Sequence, residues 1–281
     1  MITIKDVTFT YAGQSAPAIE NVSMQINDGE FYGIIGSAGA GKTTMASIIN
    51  GAVPHCQKGD FYGSVQVDGT DTFESTLTDL SQSVGTVFQD VDASMVSSVV
   101  EDEILFGLEN LGCPRERIEA RLAEALTDLG ISELRHRRIA DLSGGQKQKV
   151  AIAAVLAIKP LTLILDEPTG ALDPASSLRV FQLLKSLNMR FGITVVVIEQ
   201  KIGLLAQFAQ KLAVMDQGRI ILDGPVDQVL SHSAQLKEAG VNVPRVTDLS
   251  IELSAAGLSG FEPQTFTDVD GAESTLKKMI A

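Results

Sequence analysis

Three stretches of this sequence carry residue types, at spacings, that can do phosphate chemistry. "GSAGAGKTT", residues 36–44, fits G-x-x-x-x-G-K-[ST]. Glycines in such a loop let successive backbone N–H groups converge on phosphate oxygens, and a helix starting at its end adds a favourable partial charge. Gly36, Ser37, Ala38, Gly39, Ala40 and Gly41 are the candidate cradle, with Thr44 closing it. Lys42 is the candidate for reaching the β- and γ-phosphates, and Thr43 for ligating Mg²⁺. A glycine-rich turn can be only a turn, but a Lys-Thr pair between strand and helix favours the phosphate reading.

"LTLILDEPTGALD", residues 161–173, is an apolar strand that delivers Asp166 to its carboxyl end, where it can hold Mg²⁺ directly or through water. Glu167 follows and can take a proton from an attacking water. Alone, such an acidic pair is often a solvated strand end; the phosphate loop upstream is what gives it chemistry. "LSGGQ", residues 142–146, places Ser143, Gly144, Gly145 and Gln146 at a helix start, which by itself reads as an ordinary cap. "TVVVIEQKIG", residues 194–203, breaks abruptly from a buried strand into Glu199, Gln200 and Lys201. Ligands of open parallel sheets sit beyond the carboxyl ends of the strands. Gln200 is therefore a candidate site residue, its rival reading being a polar strand end facing solvent.

The elements that must position these residues alternate. Residues 1–32 run in short apolar–polar alternation, as antiparallel strands do. "FYGIIG" (31–36), "FYGSVQVDG" (61–69), "VGTVFQ" (84–89), "LTLILD" (161–166), "TVVVIE" (194–199) and "LAVMD" (212–216) read as further strands. Helical stretches separate the later strands, which argues for a parallel sheet with crossover helices. From about 90 to 140 the pattern is helical, with Ile118, Leu122, Leu126 and Leu129 on one face after Pro114. Beyond about 226 the chain is less periodic, with helices expected near 246–256 and 271–280.

The net charge of −13 over 281 residues argues against a broad nucleic-acid-binding face and against electrostatic binding to anionic lipid. Cys56 and Cys113 lie far apart, in no metal spacing, and read as buried or idle thiols of a reducing cytosol. The N-terminus shows no signal-peptide pattern, and the longest apolar run, "VAIAAVLAI", is far too short for a membrane span. Work at a membrane would need a partner.

With the three motifs in this order, roughly residues 1–230 resemble the ATP-binding cassette (ABC) ATPases. The resemblance implies an α/β fold: a P-loop NTPase RecA-like core with an antiparallel β subdomain and an inserted α-helical subdomain, plus a small C-terminal extension. It implies a nucleotide-binding domain over 1–230, its helical subdomain at about 90–147, and an extension over 231–281. In that family two cassettes pair head to tail, with ATP between the phosphate loop of one and the "LSGGQ" of the other. ATP and Mg²⁺ are thus the implied substrate and cofactor. Tyr11 falls where the family stacks an aromatic on adenine, unless it is simply a core strand aromatic. Gln89 matches the lid glutamine that contacts Mg²⁺ or water, and Asp173 the loop that crosses the dimer interface. Gln200 falls where a histidine is expected, the clearest departure from the pattern.

The stretch between Gln89 and Leu142 leaves no room for a long coiled coil, so the chromosome-associated members are excluded. One cassette without a membrane span looks like a transporter subunit. "VFQDVDASMVSSVVEDEILFGLENLG" and "VPRVTDLSIEL" resemble the energy-coupling factor group, which imports vitamins and transition-metal ions. The implied partners are a second cassette subunit, an integral membrane transport subunit and a membrane substrate-binding subunit, with no nucleic acid. Placement would be peripheral, at the cytoplasmic face of the cell membrane. The departure at Gln200 favours a different cassette bearing the histidine, with a homodimer as the other possibility. Alternatives are the ATPase of a binding-protein-dependent importer, a soluble non-transport cassette protein, and a phosphate-loop kinase, which would need no "LSGGQ".

Overall fold

The computed structural model describes residues 1–256, 266–267 and 269–280. The remaining positions of the expected C-terminal extension, 257–265, 268 and 281, lie outside the described residues.

Among the described residues ten strands form two sheets: β1 (Ile2–Tyr11), β2 (Ile19–Ile26), β3 (Phe31–Gly36), β4 (Gly59–Val67), β5 (Thr70–Asp71), β6 (Val84–Val87), β7 (Thr162–Asp166), β8 (Thr194–Ile198), β9 (Lys211–Asp216) and β10 (Arg219–Pro225). The first sheet, in order β2-β1-β4-β5, is antiparallel, with Ile2 opposite Ile26 and Ile4 opposite Met24. Its alternation buries Ile2, Ile4, Val7 and Phe9 on one face. The second sheet runs β10-β9-β3-β8-β7-β6 and is parallel except at β10, which pairs antiparallel with β9.

β3 sits between β9 and β8 and is buried along its whole length. Its side chains alternate between two cores. Tyr32 and Ile34 pack with Ile2, Phe9 and Met45 under the antiparallel sheet, while Phe31 and Ile35 pack against helices on the other face. Full burial of each such side chain is worth about 1.5–3 kcal/mol. The carboxyl ends of β3, β7 and β8 therefore form a rigid edge, with Ile34 and Asp166 both in register with Ile198.

The helix Arg115–Asp128 buries Leu122 and Leu126, with Leu129 at its end, while Ile118 is half-buried. The helix Pro174–Phe191 has Pro at its first position, Asp173 as its cap and left-handed Gly192 as its stop. Two features go beyond the pattern expected from sequence: the edge strand β10 and the short helices Val226–Ser231 and Ser233–Glu238. Leu230, Leu236, Val241 and Val243 from this stretch join the helix-side core.

Candidate functional site

Beyond the carboxyl ends of β3 and β7 lies an open cleft of about 850 Å³. Tyr11, Ala38, Gly39, Gly41, Lys42, Thr43, Thr44, Gln89, Glu167 and Gln200 line it. The loop leaves β3 at Gly36 and enters the helix Lys42–Ile49. Gly36 owes its identity to packing: a Cβ there would lie 2.2 Å from Met215 O on β9. Gly41 has φ of 100° and would press a Cβ to 2.7 Å from Ala18 O, so only glycine fits at the turn into the helix. Ala40 is buried behind the loop.

Lys42 is folded along the loop, and its Nζ donates to Gly36 O at 2.9 Å and Ser37 O at 2.8 Å. Burial lowers its pKa, against the opposing pull of the Glu167, Asp166 and Glu199 carboxylates. Tyr11 is anchored by its hydroxyl, 2.9 Å from Thr44 Oγ1 and donating to Gln57 Oε1 at 3.2 Å, with its ring edge-on to Phe9.

Asp166, ending β7, is 4% exposed, with the Thr43 side chain near enough to oppose the effect of burial on its carboxyl. Burial raises its carboxyl above the ordinary carboxylate range, and its Oδ1 has no protein partner. A hard cation taking few protein oxygens and several from phosphate fits that orphaned oxygen beside a hydroxyl. Among the described residues there is no cluster of three or more His, Cys, Asp or Glu.

Glu167 stands in the left-handed region at φ of 47°. Its carboxylate is held from both sides: Gln200 Nε2 donates to Oε1 at 2.6 Å and Gln89 Nε2 to Oε2 at 2.9 Å. Each oxygen keeps acceptor capacity for a water proton.

Gly144 borders a neighbouring depression shared with Gln89 and Glu167, and the remaining candidate residues are elsewhere. Ser143, Gly145 and Gln146 line a separate depression with Ser176 and Arg179. Ser143 caps the helix Gly144–Leu156 in a reciprocal box, its N–H donating to Gln146 Oε1 at 2.9 Å. Asp173 caps the next helix, accepting from Ser176 N at 3.0 Å. The segment after β6 and the helix Gly144–Leu156 are tied within the chain, since Lys147 Nζ pairs with Asp92 at 2.6 Å. Sequence reasoning gave no role to Asp92, Lys147, Gln57, Thr169 or Glu199; only the polar break after β8 marks the last.

A strand, a glycine-rich loop, a helix N-terminus and an acidic strand end converging on one cleft define a P-loop nucleoside triphosphatase. A family model described as "ABC transporter" matches residues 19–170, and the chain belongs to that family. The energy-coupling factor transporter ATP-binding protein EcfA1 of Caldanaerobacter subterraneus subsp. tengcongensis is 38% identical over 262 residues, covering 92% of each chain. Among solved structures, cbiO1 from Clostridium perfringens, part of the ABC transporter complex cbiONQ, is 31% identical with a TM-score of 0.75, over 88% of this chain and 97% of that one. The cassette MJ0796, seen as a dimer in a post-hydrolysis state bound to ADP and phosphate, is 30% identical with a TM-score of 0.70, over 80% of this chain and 99% of that one. The chain is thus an ATPase of ABC type that uses ATP with Mg²⁺, and the expected α/β fold is the one observed. No helix among the described residues is long and apolar enough to cross a membrane.

Proposed function

We propose that this chain is the ATP-hydrolysing subunit of an energy-coupling factor type importer, powering uptake of a vitamin or a transition-metal ion. The observation that carries the site reading is Glu167, held between the Gln89 and Gln200 amides and facing the phosphate loop. The similarity to EcfA1 and cbiO1 supports the transporter type.

Backbone N–H groups of residues 36–44 and Lys42 bind the phosphates, and Tyr11, at the side of the cleft, stacks on the adenine ring. Glu167 accepts a proton from the attacking water, with both its oxygens oriented by glutamine amides. Gln200 positions water and phosphate but, unlike a histidine, it cannot become cationic near neutral pH. Asp166 and Thr43, with Gln89 near, would hold magnesium, which would supply neutralisation of charge on the phosphates. Ser143, Gly144, Gly145, Gln146 and Asp173 lie outside this cleft and serve the site of a second cassette. The departure at Gln200 favours a second cassette of a different kind.

Residues 1–230 are assigned to the nucleotide-binding domain, about 90–147 to its helical insertion and 231–281 to the extension. A groove lined by Phe88, Met95, Glu103, Ala151, Ala154 and Val155 adjoins Gln89, and Phe88 is 52% exposed there. This is the surface assigned to the transmembrane partner, through which the chain is held peripherally at the membrane.

The test is purification of the native membrane complex and identification of its chains. A transmembrane subunit, a small membrane receptor and a second, different cassette are expected. A separate solute-binding protein in place of the receptor would contradict the importer type, and two copies of this chain would contradict the heterodimer.

A further inference from the structure

Glu199 has no part in the chemistry above, yet it is an ionisable group buried beside the site, only 2% exposed. Its Oε1 accepts twice from one residue: from Thr169 N at 3.2 Å and from Thr169 Oγ1 at 2.5 Å. Thr169 is fully buried and stands two residues after Glu167. Burying a carboxylate on the neutral donors of a threonine is a costly way merely to fill space, since an apolar pair would pack there without desolvating a charge.

The geometry shows what that arrangement holds. Three consecutive residues at the end of β8 each grip the loop that follows β7. Ile198 O accepts from Glu167 N at 2.9 Å, Glu199 accepts from Thr169, and Gln200 donates to the Glu167 carboxylate. Glu199 N in turn donates to Ile34 O at 3.1 Å, which fastens this grip to β3, the strand that feeds the phosphate loop. Inside the gripped loop, Gly170 N donates to Glu167 O and Leu172 N to Thr169 O, both at 3.1 Å. Glu167 itself is left-handed, with φ of 47°. That region is disfavoured for a residue with a side chain and persists only where its surroundings over-determine it.

We infer that Glu199 is a positioning residue for ATP hydrolysis. By holding Thr169 it keeps Glu167 in its left-handed turn and so aims the carboxylate between the two glutamine amides. The inference rests on the reading of Glu167 as the base. It assigns the pair Glu199–Thr169 a role in turnover and none in nucleotide binding.

The experiment measures kcat and KM for MgATP in the assembled membrane complex, with nucleotide affinity read by a fluorescent ATP analogue. Glu199→Ala should lower kcat by about tenfold to a hundredfold, the scale on which misplacement of a reacting group acts, while KM and affinity stay within about twofold. Thr169→Val, which removes the hydroxyl but keeps the volume, should act in the same direction, so the test survives if Glu199→Ala fails to fold. Glu199→Gln still offers an acceptor to Thr169 and should recover most of the rate lost in Glu199→Ala. In a Glu167→Gln background, Glu199→Ala should change the residual rate by less than about twofold, because residues acting through one group are not additive. The inference is overturned if both Glu199→Ala and Thr169→Val keep kcat within about twofold. It is equally overturned if they move KM alone, or if Glu199→Ala costs the same factor with and without Glu167. Near-normal hydrolysis by Glu167→Gln alone is a separate result, and it would remove the base assignment on which the inference rests.

Discussion

Gln200 and Glu167, 33 residues apart in sequence, meet through a 2.6 Å hydrogen bond from the Gln200 amide to Oε1 of the glutamate. Gln200 therefore lines the same cleft as Lys42 and Glu167. A hydrogen bond to a charged group is worth about 1.5–3 kcal/mol, less when exposed, and each 1.4 kcal/mol is tenfold in rate. Gln200→Ala should lower turnover by about tenfold in the assembled complex, and Gln200→His should restore or exceed the native rate. Unchanged turnover in Gln200→Ala, measured at saturating MgATP, would leave the bond without catalytic consequence.

Lys42 lies against the loop's own carbonyls, at the floor of the cleft. Lys42→Ala removes charge-assisted bonds to phosphate worth about 1.5–3 kcal/mol each. MgATP affinity should fall by at least about tenfold in a titration with labelled nucleotide. Retained affinity would move the phosphates elsewhere.

Ser143, Gly145 and Gln146 line a depression separate from the cleft that holds Lys42 and Glu167, while Gly144 borders a third that also reaches Gln89 and Glu167. On the proposed reading one chain holds two half-sites. Specific activity should rise with protein concentration, or with an added second cassette, and a rate strictly proportional to concentration down to a demonstrated monomer would contradict this.

Burial pushes the Glu199 carboxyl above its ordinary value of 4.5, a shift the Thr169 and Gln200 hydrogen bonds oppose and the Glu167 charge reinforces. Between that ordinary value and the raised one, the folded chain holds a proton the unfolded chain has lost. Stability must then fall as pH rises through this window and level off above it. Glu199→Gln lacks this slope. Its melting temperature, relative to the native chain, should rise as pH is taken from below the ordinary carboxylate range to neutrality. A difference independent of pH would mean Glu199 titrates alike folded and unfolded.

The parts of the cleft legible in the sequence are those in which the chemistry is covalently local. Lys42 and Thr43 follow the glycines directly, and Asp166 and Glu167 share one strand end, so spacing alone places each pair. The buried strands were legible because β3, β7 and β8 are apolar throughout and bounded by polar breaks. Glu199 was not, because its partner Thr169 is 30 residues away and a polar residue after a strand looks the same whether it is solvated or gripped. The helices Val226–Ser231 and Ser233–Glu238 are too short to show a period, and β10 carries only half-buried apolar residues at a sheet edge.

On the proposed function, Glu167 takes the proton from the attacking water. Glu167→Gln keeps the shape and an acceptor but cannot take that proton. In the assembled complex, ATP binding should stay within about threefold while single-turnover hydrolysis falls by about 10²–10⁴. Hydrolysis at a near-native rate with ATP binding intact would contradict the claim.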